Sequence, residues 1–547
     1  MSGPSSDQSR PVVALPQGSV VGVVQQENFP RPVECFLGIP YAQPPVGELR
    51  FRPPVPVAAS SDIIDASKYG PAAPPAGKWL RPIAPFPTSE DCLTANVFRH
   101  VPEQTKSKLL PVAVYVHGGA YNRGNSAFHK TASMVAWSEE PFVAVSFNYR
   151  IGALGFLPSR KTASEGLLNL GLKDQRLLLQ WVQENIHLFG GNKNNVTLFG
   201  LSSGAHSIGH HILHHTRSNP APFHRAIIES GAANARAVHP FNAKIHEDQF
   251  REFLQEAGCP LDLSASDTFE FLRSLSLSVI SEAQSKIFEK YNPSVRWAFQ
   301  PVVDGDVIPR PPIVTLRTGE YNCVPIIIGH CTNEGTLYTD KQLSRPEQFT
   351  HFWRILLPDL SAEDIAQLEK LYPDPSSGDP THQNGRTDVG PQYHRAEAAY
   401  GQYAYIAPVR HTAHLQSLMK NAPPVYVYHW ALTSTVNGAT HGDNMYYETY
   451  QHDIISRSEA QRELAGINHA YVTSFITKGD PNAVPGRYPH RPTWQLYTQD
   501  SKLTMVFGRG NRELVGGSVD GPAAEMVHDD WAQKQCEFWW SIENRIQ

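Results

Sequence analysis

The chain has 547 residues, 41% of them hydrophobic and 18% charged, with a formal net charge of −5. Such a composition fits a globular protein with an ample core, and the near-neutral balance without a basic run argues against nucleic acid as a partner. No stretch approaches 18 consecutive apolar residues, which argues against a membrane-spanning helix.

Residues 1–10 form a polar extension without the apolar centre of a secretory signal. Short apolar runs at 112–116, 142–147, 196–199, 225–228, 325–328 and 425–429 read as strands buried on both faces, the pattern of a parallel sheet. Between them lie helical segments, notably 172–185, whose apolar residues recur every three or four positions. Alternating strands and helices predict an α/β fold with helices on both faces of the sheet, its reactive groups gathered beyond the carboxyl ends of the strands. The stretch 241–293 is helix-like and is a candidate cap over the site. The six cysteines, Cys35, Cys92, Cys259, Cys323, Cys331 and Cys536, have no metal-like spacing. Cys323 and Cys331 flank an expected strand, which at ~3.3 Å per residue holds them beyond bonding reach. Lack of a signal and of a disulfide framework leads to the expectation of an intracellular, cytoplasmic setting.

Three of the strand ends carry chemistry. After 112–116 comes His117-Gly118-Gly119-Ala120-Tyr121, a glycine-rich turn of the kind that converges backbone N–H groups on an anion. After 196–199 comes Gly200-Leu201-Ser202-Ser203-Gly204, which is G-x-S-x-G in the strand–turn–helix context that projects a serine hydroxyl from a tight turn. After 325–328 comes Gly329-His330-Cys331-Thr332-Asn333-Glu334-Gly335, a carboxylate just past a buried strand. His441 follows the last strand between small residues, in Thr440-His441-Gly442. The order Ser202, Glu334, His441 is that of nucleophile, acid and base in one class of hydrolases. The N–H groups of Gly119, Ala120 and Ser203 are the expected oxyanion donors. Tyr121, Leu201, Trp297 and Phe299 are the expected substrate-pocket residues.

Other clusters read as structural. His206, His210, His211, His214 and His215 crowd the segment after the serine with i, i+4 spacing, yet lack the carboxylate and open position a zinc centre needs. Arg150 with Asp174 and Arg50 with Glu90 read as ion pairs that hold the fold. Asn195-Val196-Thr197 is a glycosylation pattern leading into the serine strand, where burial is expected.

Longer motifs resemble the type-B carboxylesterases, the group that includes cholinesterases and certain microbial lipases. They are Phe36-Leu37-Gly38-Ile39-Pro40-Tyr41-Ala42 with Pro44-Pro45-Val46-Gly47, Ser89-Glu90-Asp91-Cys92-Leu93, Asn148-Tyr149-Arg150, and Gly479-Asp480-Pro481-Asn482. The resemblance spans nearly the whole sequence. It implies one α/β-hydrolase domain over 1–547 and a large, mostly parallel sheet. It also implies ester hydrolysis by Ser202, Glu334 and His441, with no cofactor and no metal, by a monomer or homodimer acting on small-molecule esters.

Departures from the family pattern carry information. Leu201 stands where the family usually has an acidic residue and Ser203 where it has alanine, which disfavours cationic substrates. The usual partners of Cys92 and Cys259 are missing, in keeping with an intracellular setting. The segment 70–89, where lipase relatives carry a lid, is proline-rich and lacks amphipathic periodicity, which favours an esterase for soluble esters over an interfacial lipase. An acyltransferase or cyclase built on the same triad is the nearest alternative. A non-catalytic interaction module is the more distant one.

Overall fold

The computed structural model describes residues 10–77, 86–102, 108–236, 238–378 and 386–546. Its centre is an eleven-stranded sheet in the order β14-β13-β12-β11-β10-β9-β7-β8-β6-β4-β3. In chain order these are β3 (Val23–Gln25), β4 (Val33–Pro40), β6 (Thr94–His100), β7 (Leu110–Val116), β8 (Val143–Phe147), β9 (Gly191–Leu201), β10 (Arg225–Glu229), β11 (Ile326–Cys331), β12 (Val425–Trp430), β13 (Leu503–Phe507) and β14 (Ala524–His528). A separate three-stranded sheet pairs β1 (Val12–Leu15), β2 (Gly18–Val21) and β5 (Ile63–Asp65). Strands β8, β7, β9, β10, β11, β12 and β13 run parallel, and antiparallel pairs close both edges. The α/β layering is that expected from the alternating pattern, and the large, mostly parallel sheet is that of the α/β-hydrolase domain the resemblance implies.

All six strands read from apolar runs are present, most of them longer than their runs. The largest difference is β9, which begins at Gly191 rather than 196. Its first half is polar and exposed, so no apolar signal marks it, yet Gly191 pairs with Leu110 across a register shift. Strands β4, β6 and β14 lie in the antiparallel flanks, where sequence reading had not placed them, nor had it placed β13, which runs parallel to β12. Helix α1 (Leu170–Asn185) starts two residues before the expected 172, and α2 (Ser203–His214) follows the serine. The 241–293 stretch forms α3 (Lys244–Glu256), α4 (Ala265–Ser274) and α5 (Leu277–Tyr291).

Two buried clusters cover the faces of the sheet. Side chains of β7 alternate between them: Val112, Val114 and Val116 join one, Ala113 and Tyr115 the other. Both expected ion pairs are buried, Arg150 to Asp174 at 2.6 Å and Arg50 to Glu90 at 2.6 Å. Burial removes competing water, so losing either partner would strand a charge in the core. The six cysteines are free thiols. No described helix is long and apolar enough to cross a membrane. Asn195 is only half-buried, and its side-chain oxygen accepts from Arg225 at 2.6 Å; it lies on the polar half of β9 rather than the buried one.

Candidate active site

Parallel register brings the carboxyl ends of five strands level. Gly200 pairs with Val116 on one side and Ile228 on the other, Glu229 pairs with Gly329, and Cys331 pairs with Trp430. Ser202 and the 117–121 turn follow directly from strands on this rim, Glu334 lies in the turn after β11, and His441 lies on the loop after β12.

Ser202 sits between β9 and α2 at φ 60° and ψ −124°, a strained conformation for a residue with a Cβ. Its N–H donates to Glu229 O at 2.9 Å and its C=O accepts from His206 N at 2.9 Å, which holds the turn from both sides. A Cβ on Gly204 would lie 2.0 Å from Val116 O, so only glycine lets α2 approach β7 this closely. Of the two adjacent serines, Ser202 keeps 6% exposure, whereas Ser203 is fully buried in the first turn of α2. The hydroxyl of Ser203 is enclosed by protein, which leaves Ser202 the more accessible of the two.

Glu334 and His441 meet over 107 positions of sequence. Glu334 Oε2 pairs with His441 Nδ1 in a short contact, while Oε1 accepts from Ser230 Oγ at 2.6 Å and from Cys331 N–H at 2.7 Å. Burial pushes the Glu334 carboxyl up. The charge of His441 and the three hydrogen bonds outweigh that and hold it below the usual carboxylate value. The two loops are joined by backbone, Asn333 N–H donating to Ala439 O at 2.8 Å. Asp443 Oδ2 accepts from Thr440 N–H at 2.6 Å and so tightens the turn carrying His441. The remaining ring nitrogen of His441, Nε2, is buried without a hydrogen-bond partner among the described residues.

The turn after β7 places Gly119 at φ 122°, Ala120 at 58° and Tyr121 at 61°. A Cβ on Gly119 would lie 1.9 Å from Arg123 O. The N–H groups of Gly119 and Ala120 donate to nothing among the described residues, and that of Ser203 is one of the unsatisfied first donors of α2. Tyr149 Oη donates to His117 O at 2.7 Å and its ring stacks on the His117 ring at 4.2 Å, fixing the base of the turn. Burial pushes the His117 ring down to about 4, so it is neutral at ordinary pH.

A cavity of about 70 Å³ has Tyr121 of this turn and Trp297 in its wall, while Leu201 and the triad residues do not line it. Leu201 lies against Gly442, next to His441. Phe299 is not in the wall: at φ 60° its ring turns into the core and packs on Phe253 at 5.9 Å. Helices α3 and α5 border the cavity, through His246 and through Phe288 stacked on Trp297. The lid expectation for 70–89 falls partly outside the described residues, which omit 78–85. In the histidine run, His206, His210 and His211 are buried on α2. Among the described residues no cluster of metal-ligating side chains is present.

Sequence reading did not single out Ser230, Glu229 or Asp443. The first two end the strand 225–228, and the signal for them was available: a polar Glu-Ser pair at another strand terminus on the same rim. Glu229 packs against Glu448; burial and then the charge of Glu448 push the Glu229 carboxyl up, while burial pushes Glu448 up to about 7 against a hydrogen bond from Glu229 that lowers it.

Comparison with known proteins agrees with this architecture. Residues 9–539 match the Carboxylesterase family. The chain is 33% identical over 535 residues to "Secreted lipase 4" of Gibberella zeae, covering 96% of this chain and 91% of that one. It is 32% identical over 502 residues to "Lipase 4" of Diutina rugosa, covering 86% and 87%. The crystal structure of Aspergillus niger EstA superposes with a TM-score of 0.82 at 26% identity over 99% of this chain. The protein is a member of the carboxylesterase family and, with it, a carboxylic-ester hydrolase.

Proposed function

We propose that Ser202, Glu334 and His441 act as nucleophile, acid and base in two-step hydrolysis of small soluble esters. His441, oriented by Glu334, takes the Ser202 proton as the hydroxyl attacks the ester carbonyl. The tetrahedral oxyanion is received by the N–H groups of Gly119, Ala120 and Ser203. His441 then protonates the leaving alcohol, and water, deprotonated by His441, releases the acid from the acyl-enzyme. The observation that carries this reading is the Glu334–His441 pair beside a strained serine and unsatisfied backbone donors. Each unsatisfied donor is worth about 10²–10³ in rate where it meets developing charge.

The sequence of 70–89, proline-rich and without amphipathic periodicity, supports soluble esters over an interfacial substrate. Relatives described as secreted lipases support a second reading, hydrolysis of long-chain esters at an interface. A panel of p-nitrophenyl esters from acetate to palmitate, on wild type and Ser202→Ala, separates these readings. The account expects highest kcat/KM at or below hexanoate and a loss of roughly 10⁴-fold or more in the variant. A maximum at palmitate that rises above the critical micelle concentration would replace esterase by lipase. Free acid as the product in mixtures of acceptor alcohols excludes an acyltransferase. For location, we infer an intracellular setting from the free thiols. The secreted relatives stand against it, and cell fractionation decides between them.

A further inference from the structure

The wall of the cavity beside the site is cationic. Arg236 and Arg296 supply the charge, His206, His210, His239 and His246 line the wall as neutral rings, and no carboxylate lies in it. Neither arginine forms an ion pair among the described residues. Arg236 donates to Val295 O at 3.1 Å and lies over the Trp297 ring at 4.1 Å, so its guanidinium is positioned without being neutralised. His210 and His246 are almost fully buried, and the His210 Nδ1 atom and both ring nitrogens of His246 lack hydrogen-bond partners. Buried polar atoms of this kind cost about 1–3 kcal/mol each unless something satisfies them. Burial holds these rings neutral, so each keeps one N–H to donate and one nitrogen to accept, while the arginines supply the charge.

The cavity is also tied to the reacting groups. Gln300 in its wall donates to Ala120 O at 3.0 Å. Trp297 packs on Tyr338 at 5.4 Å, which packs on His441 at 5.6 Å. The cavity, of about 70 Å³, has room for several waters and so for a carboxylate. Leu201 removes the negative charge that would repel an anion from this side.

We propose that this cavity is an anion subsite and that the preferred substrates are esters carrying a carboxylate a few atoms from the scissile carbonyl. The assignment rests on the hydrolase reading of Ser202. Arg236 and Arg296 face the carboxylate, and the buried histidine N–H groups complete its hydrogen bonds. The anion can belong to either limb of the ester, and two substrates distinguish them: monoethyl glutarate carries it on the acyl limb and 4-acetoxybutanoate on the alcohol limb. Ethyl pentanoate is the neutral comparator.

The proposal expects kcat/KM for one of the two anionic esters to exceed that of the neutral ester at least tenfold in wild type. That ratio should collapse to near one in Arg236→Gln and recover partly in Arg236→Lys. Arg296→Gln serves in the same way if Arg236→Gln does not fold. Calorimetric titration of the Ser202→Ala protein with glutarate gives a readout independent of turnover, with binding weakened at least tenfold by Arg236→Gln. A ratio near one in wild type, or one unchanged by either arginine variant, overturns the proposal. If wild type cleaves neither ester class, the hydrolase reading fails, and glutarate binding alone then decides the subsite: arginine-dependent binding upholds it and no binding overturns it.

Discussion

Ser230 deserves a place in the account although it touches no substrate. Its hydroxyl shares Glu334 Oε1 with Cys331 N–H, leaving Oε2 for His441. Ser230→Ala should lower kcat about tenfold, about 1.4 kcal/mol of barrier, with KM nearly unchanged. With one stabilising hydrogen bond gone, the Glu334 carboxyl rises, so the acid limb of the kcat profile should move to higher pH. Threonine at this position should restore most of the rate. A drop in KM and kcat together, with no movement of the pH profile, would indicate a general loosening instead. Leu201→Glu tests the charge argument beside Gly442: it should raise kcat/KM for a choline ester relative to its neutral isostere, and an unchanged ratio would dismiss Leu201 as a selector. Ser202 and Glu334 were legible in the sequence because they stand just past strands, and His441 because it follows them between small residues in the hydrolase order. Ser230 and Arg236 were not. A serine after an apolar run has no distinguishing neighbours, and Arg236 acquires meaning only when α3 and the 295–300 loop close around it.

At the scale of elements, the site depends on how closely α2 approaches β7. Gly204→Ala places a Cβ 2.0 Å from a backbone carbonyl that belongs to a central strand and cannot yield easily. Overpacking of this kind destabilises by roughly 1–3 kcal/mol, and a fall in urea midpoint with lost activity is the expected result. Retention of both would mean that the helix shifts freely. The parallel centre was readable because its strands are apolar on both faces. The antiparallel flanks β4, β6 and β14 were less so: they mix polar and apolar residues, and 36–42 drew notice as a motif rather than as a strand. The polar first half of β9 shows the same limit, since pairing with Leu110 rather than hydrophobicity makes it a strand.

The whole molecule should be most stable near pH 6.5. Burial pushes His117 and His469 down to about 4 and His129, His210 and His246 to about 3, with His206, His211 and His429 also well below their ordinary 6.5. Below pH 6.5 the unfolded chain takes up protons at these positions and the folded chain does not, so stability is lost as pH falls toward 4. Each such histidine contributes about 1.4 kcal/mol per pH unit. The buried acids act in the opposite sense. Glu397 is pushed up to about 8, and Glu229 and Glu448 are raised as a pair, so the folded state is favoured less as pH climbs through neutrality. Urea midpoints from pH 5 to 8 should pass through a maximum near 6.5, falling more steeply on the acid side. A flat profile from 7 to 5 would mean that those rings are charged in the folded state.

The most direct test of the account is labelling with a fluorophosphonate followed by peptide mass spectrometry. The predicted result is one adduct per chain on Ser202, none on Ser203, with activity lost in proportion to labelling and no adduct in His441→Ala. An adduct on Ser203, or full esterase activity in a chain labelled at Ser202, would contradict it.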